Sequence, residues 1–133
     1  MSELLEKARS YEAKKIAATD KESKPLFHIS APAGWINDPN GFSVYNGKIH
    51  LFYQYYPYLR EWGPMHWGHS TTSDMIKWEQ LPCVMAPDEE YDKKGCFSGS
   101  AIEADGKHVL VYTGVTSIKL PDGSEQERQN QCI

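Results

Sequence analysis

A chain of 133 residues with 40% hydrophobic and 12% aromatic content has the size and composition of one modest folded domain, not of a disordered segment. Its net charge of −4, with no basic block, argues against nucleic acid as a partner, because nothing supplies the positive charge that phosphates require. Cys83, Cys96 and Cys132 form no C-x-x-C pair, so no zinc site is expected; the odd count fits a reducing compartment, though one bridge could still form.

Residues 2–18 read as a helix. Ser2 is a suitable N-cap, and Glu3 and Glu6 complement the helix dipole. Leu4, Leu5, Ala8, Tyr11 and Lys15 lie on or near one face. The first residues contain no apolar core of roughly 7–15 residues, so no signal peptide is read. No run approaches the ~18 apolar residues of a membrane span, and no Asn-x-Ser/Thr site occurs. A cytoplasmic location and no membrane partner are therefore expected. Thr19 to Lys24 reads as a polar linker and Pro25 as the entry to the main domain, dividing the chain into 1–24 and 25–133.

Trp35-Ile36-Asn37-Asp38-Pro39-Asn40-Gly41 puts an indole, two amides and a carboxylate ahead of strong turn residues. Pro39 fixes its own φ and keeps Asp38 out of the helical region, while Asn40-Gly41 tolerates positive φ. The expectation is a short, stiff loop holding Asp38 at a set angle. Such a carboxylate beside an aromatic ring suits sugar chemistry. The plainer alternative is a polar turn before a strand.

The rest of the chain reads as strands. Asn46-Gly47 is a hairpin signal joining 42–45 to 48–54, and Asp105-Gly106 joins 99–103 to 108–112. Further strands are expected at 66–72, 77–81 and 128–133, with a turn at Pro121-Asp122-Gly123. The fold class is all-β. Asn46 and Asp105 lie 59 positions apart, near the roughly 40–50-residue period of propeller blades once a loop insertion is allowed.

Gln54 sits in a strand otherwise rich in apolar residues, so its amide needs a partner, either a bound sugar or a core group. Ser98 is not a nucleophile elbow, because in Gly95-Cys96-Phe97-Ser98-Gly99 the first glycine is one position too early. His66 and His69 are three apart on a strand and point to opposite faces, so they do not form a metal pair. The acidic run Asp88-Glu89-Glu90-Tyr91-Asp92, between Pro87 and Lys93-Lys94, reads as a solvated loop and not a calcium site.

Four blocks carry a resemblance: the Trp35–Gly41 string, Phe52-Tyr53-Gln54, Glu61-Trp62-Gly63-Pro64-Met65-His66-Trp67-Gly68-His69, and Phe97-Ser98-Gly99-Ser100-Ala101. In this order and spacing they resemble glycoside hydrolase family 32, the family of invertases, sucrose-6-phosphate hydrolases, inulinases and levanases. The likeness runs from about Phe27 to Ile133. Ile36 stands where the family more often has Met or Leu, and Tyr56-Pro57 where Asn-Pro is common.

The resemblance implies a five-bladed β-propeller, with blade one and most of blade two here, preceded by the short helix. Since a propeller closes with at least four blades and the chain stops inside an apparent strand, an N-terminal part of a longer protein is expected, prone to self-association alone. The resemblance makes Asp38 the nucleophile of a retaining β-fructofuranosidase. It makes Trp35, Ile36, Asn37, Gln54, Trp62, Phe97 and Ser98 substrate-binding residues. It implies no cofactor and no metal, and a sugar partner: sucrose, sucrose 6-phosphate or short fructans. The family's Arg-Asp-Pro and Glu-Cys motifs do not occur, and Glu79, Glu103, Glu125 and Glu127 match no acid/base motif. The acid/base is therefore expected beyond Ile133, and the 133 residues alone are expected to be inactive. Two rival readings are a hydrolase of another furanoside, such as an arabinoside, and a non-catalytic sugar-binding module.

Overall fold

Both hairpin signals fold into two-residue turns. In the computed structural model, which describes residues 2–133, Asn46 (φ 48°) and Gly47 (φ 71°) join β1 (Trp35–Tyr45) to β2 (Lys48–Tyr56). Asp105 (φ 51°) and Gly106 (φ 71°) join β5 (Gly95–Ala104) to β6 (Lys107–Lys119). Positive φ at both central positions matches the right-handed twist of the strands. With β3 (His66–Thr72) and β4 (Glu79–Met85), the first pair makes a four-stranded antiparallel sheet in order β1-β2-β3-β4. With β7 (Glu125–Cys132), the second makes a three-stranded sheet in order β5-β6-β7.

The helix α1 spans Glu3–Ala18, and the Ser2 side chain accepts from the Leu5 N–H as its N-cap. Of the expected face, Ala8 is buried, Leu5 borders the core and Tyr11 bonds the Tyr58 carbonyl. Glu12 is buried as well, against Cys83 on β4, while Leu4 and Lys15 are exposed. The 19–24 linker contains a short 3-10 turn, Lys21–Ser23.

Strand alternation divides the apolar residues of β2 between two cores. Tyr53 and Tyr55 face α1 and pack with Ala8 and Cys83, bordered by Leu5, Ile29, Ala31 and Ile36. Phe52 points the other way and packs with Trp67, Cys96 and Tyr112, closing the seam between the two sheets. Every residue of β3 is buried, as a central strand covered on both faces should be.

Three strand expectations need correction. The Trp35–Gly41 string is not a loop but the first part of β1, an edge strand, where the missing N–H of Pro39 is tolerated. The fourth strand is not 77–81 but Glu79–Met85; it continues through Pro82 because β4 is also an edge. The last strand begins at Glu125, not 128. Asp92 also departs from the solvated-loop reading. It is 1% exposed and accepts from the Tyr112 hydroxyl (2.7 Å) and the Glu89 N–H (2.8 Å), while Asp88 to Tyr91 stay exposed.

Candidate active site

The site forms where the start of β5 closes onto blade one, and it is assembled at β-bulges. Ile36 pairs with Tyr55 and Pro39 with Tyr53, so Asn37 and Asp38 together oppose the single residue Gln54. In β5, Phe97 pairs with Thr113 and Gly99 with Tyr112, leaving Ser98 as the extra residue. Bulges redirect side chains out of the ladder, and here the two bulges meet. The Ser98 hydroxyl donates to Asp38 Oδ2 at 2.6 Å, joining residues 60 positions apart. Both side chains are exposed at the seam's mouth.

Beneath them the seam is closed by hydrogen bonds that fix the backbone of residues 96–99. The Cys96 N–H donates to the Met65 carbonyl (2.8 Å), and the Gln54 amide donates to the Cys96 carbonyl (3.0 Å). The Trp67 indole donates to the Phe97 carbonyl (3.1 Å), and the Gly99 N–H donates to Asn40 Oδ1 (2.9 Å). The Asn40 amide in turn donates to the Asp38 carbonyl (3.2 Å). Asn40 is 3% exposed, so these bonds are shielded from water. Sequence reasoning missed Asn40 as a positioning residue; its signal was the second amide of the Trp35–Gly41 string.

The other expected residues take distinct places. Gln54 is 3% exposed, and its amide nitrogen is held by the seam. Trp62 is 56% exposed and stands edge-on to the Phe97 ring at 6.1 Å, on a loop pinned to β5 through Met65 and Gly95. Trp35 is half-buried, and its indole N–H has no protein partner. Asn37 is exposed beside Asp38, whereas Ile36 packs into the α1-facing core. The structure thus gathers Asp38, Asn37, Ser98, Phe97 and Trp62 at the mouth, with Gln54 beneath and Ile36 facing away. Among the described residues no second carboxylate is hydrogen-bonded to Asp38 or Ser98, and none form a cluster that could hold a metal ion.

His66 and His69 do face opposite ways. His66 bonds the Pro64 carbonyl (2.8 Å). His69 bonds His50 (2.9 Å) within a group that includes His108, which itself bonds Ser43 (2.8 Å). Burial pushes both His66 and His69 down to about 4.

Two antiparallel sheets, joined at a seam with an exposed carboxylate at its mouth, make up part of a five-bladed β-propeller. The family description "Glycosyl hydrolases family 32 N-terminal domain" matches residues 28–133, and the chain belongs to that family. It is 48% identical to an Escherichia coli sucrose-6-phosphate hydrolase over 109 residues, 82% of this chain and 23% of that protein. It is also 48% identical to a Bacillus subtilis levanase over 99 residues, 74% of this chain and 14% of that protein. Among solved structures, the GH32 β-fructofuranosidase of Bombyx mori superposes with a TM-score of 0.79 at 45% identity, covering 95% of this chain and 26% of that one. The sucrose-6-phosphate hydrolase of Lactobacillus gasseri superposes with a TM-score of 0.71 at 34% identity, covering 96% and 25%. The chain therefore spans about a quarter of the length of these relatives, or less.

Proposed function

We propose that the protein carrying this chain hydrolyses terminal β-D-fructofuranosides, sucrose or sucrose 6-phosphate, with retention and with Asp38 as nucleophile. The observation that carries this reading is the Asp38–Ser98 pair. The Ser98 hydroxyl engages Oδ2 at 2.6 Å and leaves Oδ1 without a hydrogen bond among the described residues. That carboxylate is oriented, ionisable and open to a ligand. In the first step Oδ1 attacks the anomeric carbon, the bond to the leaving oxygen breaks, and that oxygen takes a proton from an acid. In the second step water attacks the same carbon, loses its proton to the same group, and frees Asp38. A second carboxyl about 5–5.5 Å away serves as acid and base in such reactions, and the proposal assigns it to a residue outside the four sequence blocks. Trp62 and Phe97 offer ring faces to the sugar, and Asn37 an amide to its hydroxyls. Gln54 acts through the Cys96 carbonyl that it holds. The names of the relatives, hydrolases of sucrose 6-phosphate and of levan, support this substrate class. The cysteines are unpaired, which fits a reducing compartment, so the proposal includes a cytoplasmic location. Among the described residues no helix is long and apolar enough to cross a membrane.

The test is Asp38→Asn in the purified protein, assayed on both sugars. The amide keeps the shape of the side chain but cannot attack. Turnover should fall by about 1,000-fold or more, roughly 4 kcal/mol of barrier, with unchanged thermal unfolding. Retention within about tenfold would overturn the nucleophile assignment.

A further inference from the structure

A second concavity is lined by chain neighbours of the candidate active site. It lies between the C-terminal half of α1, the linker, residues 30–34 and the loop after β2, and its volume is about 350 Å³. Two of its walls continue in the chain towards the site: Gly34 leads into β1, which carries Asn37 and Asp38, and Arg60 lies two positions before Trp62. Its charged lining consists of Lys15, Lys24 and Arg60, all cationic, in a chain whose 18 carboxylates outnumber its 14 Lys and Arg. The linker carboxylates do not line it. Asp20 is turned onto its own backbone, accepting from the Glu22 N–H at 3.0 Å. The ion pairs among the described residues lie elsewhere, at Lys48–Glu79 and Lys93–Glu90, so neither Lys24 nor Arg60 has a counter-ion among the described residues.

The wall behind these cations is stiff. The Tyr11 hydroxyl donates to the Tyr58 carbonyl at 3.1 Å, and the two rings meet edge-on at 5.1 Å. The Lys15 ammonium sits 5.4 Å from the Tyr11 ring centre. Like charges grouped around one concavity repel, and a shared anion relieves that repulsion. A phosphoryl group can accept two parallel bonds from a guanidinium while an ammonium balances its remaining charge.

We propose that this concavity is a phosphoryl-binding subsite, filled by the phosphate of a phosphorylated sugar held at the candidate active site or by free phosphate. The sugar source rests on the fructoside reading above; the free-phosphate source does not. The variants Lys24→Ala and Arg60→Ala remove the cations singly, and Arg60→Lys keeps the charge without the fork. Calorimetry with inorganic phosphate at low salt should show binding by the parent, about tenfold weaker in each Ala variant and partly restored in Arg60→Lys. The KM for sucrose 6-phosphate divided by the KM for sucrose should rise about tenfold in the Ala variants. Weakened phosphate binding with an unchanged ratio keeps the subsite and assigns it to free phosphate. A raised ratio without measurable phosphate binding assigns it to the phosphorylated sugar. Phosphate binding that responds to the variants in a protein hydrolysing neither sugar leaves the subsite standing and removes the fructoside reading. No phosphate binding by the parent, together with an unchanged ratio, overturns the proposal.

Discussion

Asn40 shows how one buried amide supports the candidate site. Its oxygen accepts from the Gly99 N–H across the seam, and its nitrogen donates to the Asp38 carbonyl. Asn40→Ala leaves the half-buried Gly99 donor without its partner, a cost of about 1 kcal/mol or more. It also frees the bulges that hold Asp38 and Ser98 together. Stability should fall by that amount in urea unfolding, and kcat on a fructoside should fall more than KM rises, because ground-state contacts stay in place while Asp38 loses its alignment. Wild-type stability in Asn40→Ala would refute this. Gly99 offers a matched test from the other side. A Cβ there would lie 2.0 Å from the Val111 carbonyl oxygen, a backbone atom that cannot rotate away. Gly99→Ala must therefore spread the β5–β6 pair and should destabilise by at least as much.

At the scale of the element, α1 completes the edge of blade one. Between its pairings at Leu81 and Met85, β4 bulges away from β3, and the backbone of Cys83 drops out of the ladder. Two helix side chains replace the missing strand partner. Arg9 Nε donates to the Cys83 carbonyl (2.7 Å), and the Cys83 N–H donates to Glu12 Oε2 (3.1 Å). At Cys83 the edge's polar groups are thus taken and offer no site for pairing with another strand. Burial pushes the Glu12 carboxyl above its ordinary range and the Cys83 thiol up to about 12. Removing residues 2–18 should therefore lower the melting temperature and add one fast-reacting thiol to an Ellman titration. An unchanged thiol count would show that α1 does not shield Cys83. Glu12→Gln keeps an acceptor without the buried charge and should be tolerated. Glu12→Ala orphans the Cys83 N–H and should cost about 1–3 kcal/mol.

Across the whole molecule, the seam between the blades carries a pH dependence of defined sign. His69 stacks on Phe52 at 4.3 Å, bonds His50, and faces His108 from the second blade. Burial, and then its neighbours His50 and His108, lower its pKa to about 4 from an ordinary 6.5. His66, on the other face, is lowered to about 4 mainly by burial, and His108 is lowered as well. For each, the unfolded chain binds a proton more readily than the folded one. Their contribution to stability is thus full above about 6.5 and is lost as pH falls towards about 4. Thermal unfolding followed from about pH 7 to about pH 4 should show this loss, and His69→Gln should flatten the slope. An identical pH profile in His69→Gln would exclude the seam histidine as a source.

Residues that act through their chain neighbours are legible in the amino-acid sequence by itself. Asn46-Gly47 and Asp105-Gly106 specify tight turns wherever they occur, because positive φ is a local property, and Ser2 caps α1 for the same kind of reason. The four blocks identify the family, and the fold joins two of them directly, through the Asp38–Ser98 hydrogen bond. What local chemistry could not decide is which strands lie at edges and which polar groups face a seam. Pro39 and Pro82 look like strand breakers until β1 and β4 are seen to be edges, where a missing N–H costs little. Asp92 looks solvated among its acidic neighbours until Tyr112, 20 positions later, closes over it. The partnership of Asp38 with Ser98 and the role of Asn40 arise from packing β1 against β5, and His108 on β6 reaches His50 and His69 of the first sheet only because the two sheets meet. Contacts between residues some 60 positions apart depend on how two finished sheets meet, and that is a property of the tertiary fold alone.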